Sequence, residues 1–168
     1  MLGGKTKDLL FLPLIKIIPK GVIGMVLKKF ELTRASKLVK SMDFDFFAGG
    51  QYHIRPEKFF ELLRNDEAVL LDVRSDKERT FVKFPFAIEI PFNELYTLFE
   101  ESDESASSKI HTLLPTDKLI GILCTGKIRA AISWFILTSS GYNARYIDAT
   151  IADFADFSKP GKLAKVWK

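Results

Sequence analysis

The chain has 168 residues, 47% of them hydrophobic, which is enough for one domain with a buried core plus an extension. Its only cysteine is Cys124, and a single cysteine excludes an intrachain disulfide and any Cys-x-x-Cys zinc or redox motif. The formal net charge of +4 arises in the first fifty residues, which hold nine basic and four acidic residues, against sixteen and seventeen in residues 51–168. Nothing requires an oxidising compartment, so the expected localisation is the reducing cytoplasm.

The first fifty residues are predicted to form a basic, apolar and partly helical arm. Pro13 and Pro19 interrupt the apolar segment 9–20, and a helical pattern covers 22–38. A membrane-spanning helix is disfavoured, because lysines near its centre would cost about 3 kcal/mol each. The preferred interpretation is a peripheral association in which residues 5–40 lie on an anionic membrane surface. Binding to a partner and packing on the chain's own domain remain alternatives. No nucleic-acid partner is expected, since the basic residues lie among Leu, Ile and Val rather than stacking aromatics.

From residue 51 to residue 158 the pattern is that of a single α/β domain, followed by a tail over 159–168. The predicted strands cover residues 52–54, 68–73, 87–91, 119–123 and 143–147. The predicted helices begin at Pro56, cover 92–101 and 151–157, and follow Cys124 over 130–137, and a Ser-rich loop covers 102–108. Short strands that alternate with helices predict an open parallel sheet with helices on both faces. In such sheets ligands bind at the carboxyl ends of the strands.

Cys124 lies at such a strand end, directly before a predicted helix. The first turn of a helix has amide groups without partners and a favourable dipole, both of which stabilise a thiolate and lower the pKa of a thiol. Gly126 permits a positive φ that exposes neighbouring amides, and Lys127 and Arg129 are expected to add positive charge. The alternative is a buried cysteine that packs as a small hydrophobic residue.

Taken together, these residues resemble a rhodanese domain over roughly residues 51–158. The resemblance is carried by the blocks 70–78 (LLDVRSDKE), 87–91 (AIEIP) with 93–95 after it, and the strand, cysteine loop and helix of 119–137. It implies a rhodanese-like open parallel α/β sheet with helices on both faces, preceded in this chain by the helical N-terminal arm.

The resemblance also implies roles for individual residues. Cys124 would carry a persulfide and pass its outer sulfur to a nucleophile. The substrate sulfur would be held by the backbone amides of Thr125, Gly126, Lys127, Ile128 and Arg129. Arg129 would in addition close the loop and favour anionic donors. Asp72 and Arg74 would support the catalytic site from the neighbouring strand end.

The length of the loop distinguishes two chemistries on this fold. Four residues separate Cys124 from Arg129, whereas related phosphatases and arsenate reductases have five and hold a tetrahedral oxyanion. The shorter loop fits a single sulfur and favours sulfur transfer.

Several features differ from the family pattern. Glycine is usual at the fourth loop position, where this chain has Lys127 after Gly126, and the usual Gly-His-Ile-Pro-Gly-Ala segment is VKFPFA at 82–87. After the last strand, Ala149-Thr150 replaces the usual Gly-Gly, and Phe154 replaces the tryptophan that follows.

The predicted function is therefore that of a sulfurtransferase of sulfur metabolism without metal or cofactor. It would take sulfur from a small anion, thiosulfate or polysulfide, and pass it to a thiol, to cyanide or to a sulfur-acceptor protein. The alternative is a non-catalytic binding module that the arm tethers to a membrane or partner. Neither His53 nor His111 is expected to pair with the thiol, and Glu78 is expected on the surface of the loop that follows the second strand.

Overall fold

The computed structural model describes residues 32–100 and 110–159. The predicted arm up to residue 31, the Ser-rich loop and the tail beyond Lys159 therefore lie outside the described residues. In the described part of the chain, no helix is long and apolar enough to cross a bilayer.

Five parallel strands form one sheet in the order β1-β5-β4-β2-β3. The strands are β1 (His53–Ile54), β2 (Ala68–Asp72), β3 (Ala87–Glu89), β4 (Leu119–Leu123) and β5 (Ala144–Ile147). Each predicted strand is present, although several are a residue or two shorter than expected. All five residues of β4 are buried, because this strand pairs with β2 on one side and β5 on the other.

Helices cover both faces of the sheet, which confirms the predicted fold class. Those with both ends inside the described residues are α1 (Leu32–Ser41), α2 (Phe44–Gly49), α3 (Pro56–Arg64), α4 (Asp76–Arg79), α5 (Phe92–Glu100), α6 (Ile128–Ser139) and α7 (Ile151–Phe157). On one face α6 packs on β4 and β5 and also contacts α1 and α5. On the other face α3 contacts α7, and Phe59, Phe60 and Phe154 form an aromatic cluster there. The sheet thus separates two apolar cores.

Gly121 in the middle of β4 allows a close approach between the strand and α3. A Cβ atom at this position would lie 2.2 Å from Cε2 of Phe59, a distance that no relaxed structure tolerates. Phe59 is fully buried, so its ring fills the space that any larger residue at 121 would need.

The part of the arm that the structure describes packs on the domain. Helix α1 contacts α6, and Phe46 of α2 stacks on Tyr52 and lies against Trp134. Helix α2 was not predicted, since residues 43–50 were interpreted as a junction. Its caps explain it: the Asp43 side chain accepts the amide hydrogen bond of Phe46, and Gly50 ends the helix with φ of 62°.

Candidate active site around Cys124

Cys124 follows the last residue of β4, at the carboxyl edge of the sheet between β2 and β5. Its side chain belongs to the apolar core on the α6 face and is only 2% exposed. Its Sγ accepts a hydrogen bond from the backbone N–H of Ala130 at 3.4 Å. The sulfur therefore lies at the floor of the loop, with the first turn of a twelve-residue helix pointing at it.

The helix begins two residues earlier than the sequence predicts, and this determines which amide reaches the sulfur. Because α6 starts at Ile128, Ala130 is its third residue, and its N–H is one of the four that have no partner within the helix. The amide that contacts Sγ itself is thus that of Ala130, and the role of the amides of residues 125–129 toward a substrate sulfur stays a prediction. Within residues 32–100 and 110–159, the backbone N–H groups of 125–129 make no hydrogen bond, so they are available to a bound group.

The strained residue of the loop is Lys127, not Gly126. Lys127 has φ of 77° and ψ of −34°, whereas Gly126 is not among the described glycines with positive φ. A Cβ atom at Gly126 would meet nothing within 4 Å, so neither space nor backbone angle requires glycine there. The residue with positive φ is at the fourth loop position, directly before α6. It is a lysine, for which this conformation is energetically unfavourable.

Lys127 is bound outside the loop. Its Nζ donates to Oδ1 of Asp148 at 2.7 Å, just beyond the end of β5. The hydrogen bond to Asp148 raises the pKa of Lys127, and the same bond lowers the pKa of Asp148. This ion pair connects Lys127, the residue with positive φ, to Asp148, which follows the end of β5.

Arg129 is bound by Glu78, a residue that was expected on the surface of the loop that follows the second strand. Nη1 of Arg129 donates to Oε2 of Glu78 at 2.8 Å, and Nη2 donates to Oε1. The hydroxyl of Thr125 also donates to Glu78, so one carboxylate holds both ends of the loop. Glu78 is partly exposed in the segment after β2, and its contacts with the cysteine loop were not predicted.

Helix α4 explains why Glu78 points at the loop. Ser75 and Glu78 form a capping box, in which the backbone N–H of Ser75 donates to Oε2 of Glu78 at 3.0 Å and its hydroxyl donates at 2.7 Å. The Ser-x-x-Glu spacing is visible in the sequence and was a missed signal for α4. The contact with Arg129 crosses 51 residues of sequence, and no local pattern indicates it.

These contacts change the charge expected around the thiol. Hydrogen bonding to Arg129 is the main cause that holds the pKa of Glu78 well below its ordinary value, and Glu78 raises the pKa of Arg129. Lys127 and Arg129 were expected to leave positive charge beside Cys124. Instead, each cation has a carboxylate partner from another element, so the two charges are compensated.

Asp72 and Arg74 form a buried ion pair beside the site. Nη2 of Arg74 lies 2.7 Å from Oδ2 of Asp72, and both side chains are almost fully buried. Nη2 also donates to the carbonyl of Val82 at 2.8 Å, and the guanidinium lies over the Phe84 ring. The pair thus holds the segment after α4, and no contact joins it to Cys124. Its supporting role in catalysis remains a prediction.

The two histidines each have a side-chain partner other than the thiol. Nε2 of His53 is 3.9 Å from Oδ2 of Asp148, and Nδ1 of His111 is 2.9 Å from the Tyr142 hydroxyl. Among the residues that the structure describes, no group of three His, Cys, Asp or Glu side chains has the arrangement of a metal site.

No family model matches the sequence. It is similar to curated proteins named tRNA uridine(34) hydroxylase, with 32% identity over 108 residues in Rickettsia prowazekii, 31% over 95 residues in Ruegeria pomeroyi and 27% over 127 residues in Ehrlichia ruminantium. These matches cover 64%, 56% and 75% of this chain. They span only 40%, 30% and 44% of the respective relatives, less than half of each.

Solved structures resemble the fold. A rhodanese-related protein from Thermoplasma volcanium is 25% identical, with a TM-score of 0.50, and the match covers 64% of this chain and 94% of that protein. A human single-domain sulfurtransferase is 19% identical, with a TM-score of 0.54, and the match covers 66% of this chain and all of the human chain.

Proposed function

The chain contains a rhodanese-like domain, and we propose that this domain is a sulfurtransferase that carries a persulfide on Cys124. The donor is a small sulfane anion such as thiosulfate or polysulfide. The acceptor is a thiol, cyanide or a sulfur-acceptor protein. Similarity in fold to sulfurtransferases supports the general class, and the geometry of the thiol supports the reaction.

The observation that carries the proposal is the position of Sγ at the first turn of α6. The Ala130 N–H donates to Sγ at 3.4 Å, and the dipole of the helix favours negative charge at the same point. An anionic sulfur is stabilised there by groups that do not need to move during the reaction. Among residues 32–100 and 110–159, no side-chain base is hydrogen-bonded to the thiol, and the stabilisation comes from the backbone.

In the loading step the Cys124 thiolate attacks the outer sulfur of thiosulfate. A new S–S bond forms, the bond between that sulfur and the sulfonate breaks, and sulfite leaves with the electron pair. The product is the persulfide anion on Cys124. Attack by an acceptor thiolate on the outer sulfur then regenerates the enzyme thiolate and leaves the acceptor as a persulfide.

The loop combines a buried sulfur with exposed residues around it, which suits this transfer. Sγ is buried, whereas Thr125, Gly126 and Ile128 are exposed, Ile128 by 75%. In a persulfide the outer sulfur lies about 2 Å from Sγ, and we place it against the backbone amides of residues 125–129. Those amides would hold the outer sulfur where an acceptor can approach it.

Mass spectrometry of the intact protein after treatment with thiosulfate or polysulfide tests the proposal. We expect one added sulfur that Cys124→Ser abolishes, and slower loading in Arg129→Ala because the loop loses its bond to Glu78. Alkylation of the same samples with iodoacetamide checks that the thiol is accessible. If the thiol is alkylated but never acquires sulfur, a non-catalytic binding module becomes the better interpretation.

The curated relatives favour a second candidate, in which the domain takes part in hydroxylation of a tRNA uridine. This would require a nucleic-acid partner that the composition did not predict. Insertion of one oxygen atom from dioxygen into uridine consumes two electrons and two protons and releases water. Incubation of the full chain with tRNA, dioxygen and a thiol reductant, followed by mass spectrometry of the released nucleosides, would detect the added oxygen. Dependence of that product on Cys124 would support this candidate, and unchanged nucleosides would count against it.

For the arm, we propose peripheral binding of the cytoplasmic protein to an anionic membrane surface through residues 5–40. The support is the excess of lysine in an apolar segment. Replacement of Lys5 and Lys7 by Gln in the full chain should weaken sedimentation with anionic liposomes. The same replacement at the exposed Lys58 and Lys83 is the matched control, and equal losses in the two variants would argue against the proposal.

A further inference from the structure

Both cations of the loop are paired with carboxylates that the loop does not contain. Lys127 binds Asp148 at 2.7 Å, and Arg129 binds Glu78 through both guanidinium nitrogens. Two positive and two negative charges therefore surround the mouth of the loop. Asp153 in α7 is a further acid that interacts electrostatically with Lys127. The remaining attraction for an anion comes from backbone amides, which are partial charges.

From this arrangement we propose that Glu78 determines the charge of the sulfur donor that the site accepts. By neutralising Arg129, Glu78 makes the site favour a monoanionic sulfane donor, such as a thiosulfonate or a hydropersulfide anion, over the thiosulfate dianion. This inference rests on the proposed sulfurtransferase function and narrows its substrate class. Glu78 is a positioning residue, because it acts through Arg129 and does not contact the sulfur.

The contacts of Glu78 show that it is held as an anion. It accepts hydrogen bonds from Arg129, from the hydroxyl of Thr125, and from the backbone and hydroxyl of Ser75. Five donor atoms around one carboxylate stabilise its charged form, in agreement with its lowered pKa. The charge of Arg129 is thus cancelled in the resting state of the enzyme, before any donor arrives.

Two donors with the same reactive group separate charge from chemistry. Thiosulfate carries two negative charges and releases sulfite, and methanethiosulfonate carries one and releases methanesulfinate. In each case the Cys124 thiolate forms an S–S bond to the outer sulfur as the bond from that sulfur to the sulfonyl group breaks, and the leaving group takes the electron pair. Because carboxylates compensate the charges of Lys127 and Arg129, the second negative charge of thiosulfate does not strengthen its binding.

Glu78→Gln removes one negative charge and keeps an oxygen that accepts from Arg129. We expect the ratio of kcat/KM for thiosulfate to kcat/KM for methanethiosulfonate to rise at least about fivefold, as for one unmasked charge a few ångströms from the substrate. The gain should diminish as salt is added, because the effect is electrostatic. Asp148→Asn, which unmasks Lys127, should change the ratio in the same direction.

The matched control is Glu61→Gln, which removes the same charge from the exposed pair with Lys58 on α3 and should leave the ratio unchanged. If both donors load Cys124 but Glu78→Gln slows them equally or leaves the ratio unaltered, the inference is wrong and Glu78 only shapes the loop. If neither donor adds sulfur to the unmodified protein, the proposed function itself fails. The two failures are thus distinguished in one series.

Discussion

The strained backbone at Lys127 leads to a prediction that two substitutions at one position can test. Lys127→Ala removes the ion pair with Asp148 and keeps a side chain at φ of 77°. Lys127→Gly removes the same ion pair and also removes the Cβ atom that makes this conformation unfavourable. The difference between the two variants therefore isolates the backbone strain.

The expected magnitude follows from the exposure and the angles. The two side chains of the ion pair are 42% and 37% exposed, so solvent screening limits its value to about 0–1 kcal/mol. A residue other than glycine in a sparsely populated region with positive φ costs about 1–3 kcal/mol. Part of this is offset by the larger chain entropy of glycine in the unfolded state. We expect Lys127→Gly to be more stable than Lys127→Ala by about 1 kcal/mol.

Chemical denaturation of both variants, monitored by tryptophan fluorescence, measures this difference directly. Thermal unfolding should show a higher Tm for the glycine variant by about 2–4 °C. Gly126→Ala is the control, because no positive φ is present there and a Cβ atom would meet open space. Equal stability of the two Lys127 variants, or greater stability of the alanine variant, would refute the assignment of strain to this position.

Three further predictions concern the core and the charges around the site. Gly121→Ala should destabilise the domain by about 1–3 kcal/mol, measured by urea denaturation, because its Cβ would overlap the Phe59 ring; a double variant with Phe59→Leu should recover part of the loss. Asp72→Asn should lower the free energy of unfolding by about 3–5 kcal/mol, since it leaves the buried Arg74 charge unpaired. A loss below about 1 kcal/mol, the value of a surface ion pair, would contradict this. The bond between Arg129 and Glu78 lowers the pKa of Glu78 from 4.5, so its stabilisation should be complete above about pH 4.5 and decline as pH falls toward the folded-state pKa. A stability gap between the unmodified protein and Glu78→Gln that stays constant down to pH 3 would contradict that sign.

Local patterns in the sequence were sufficient to predict the domain. The apolar run 119–123 and the alternation of strands and helices indicated a parallel sheet with a buried central strand, and the structure confirms this. Pro56 marked the start of α3. The position of Cys124 at a strand end before a helix was also correct, because both elements are coded by residues adjacent in the chain.

The boundaries of the short elements were less accurate, and each error has a local cause. Helix α6 starts at Ile128 because Lys127, and not Gly126, adopts the left-handed conformation. The capping box of α4 was overlooked, since a four-residue helix has no apolar periodicity. Because the predicted helix began only at residue 130, the hydrogen bond from the Ala130 amide to Sγ was not predicted.

The strands and helices along the chain, and the position of a cysteine at a strand end before a helix, follow from information carried by neighbouring residues: apolar runs, turn residues and the cysteine itself. The order of the strands within the sheet came from the tertiary structure, and so did the electrostatic character of the site. Whether Lys127 and Arg129 act as free cations depends on Asp148 and Glu78, which lie 21 and 51 positions away. These carboxylates reach the loop only because β5 and β2, the strands that precede them, pair with β4 on either side. The formal charge of a residue can be read from the sequence, whereas the compensation of that charge depends on which residues the fold brings within contact distance.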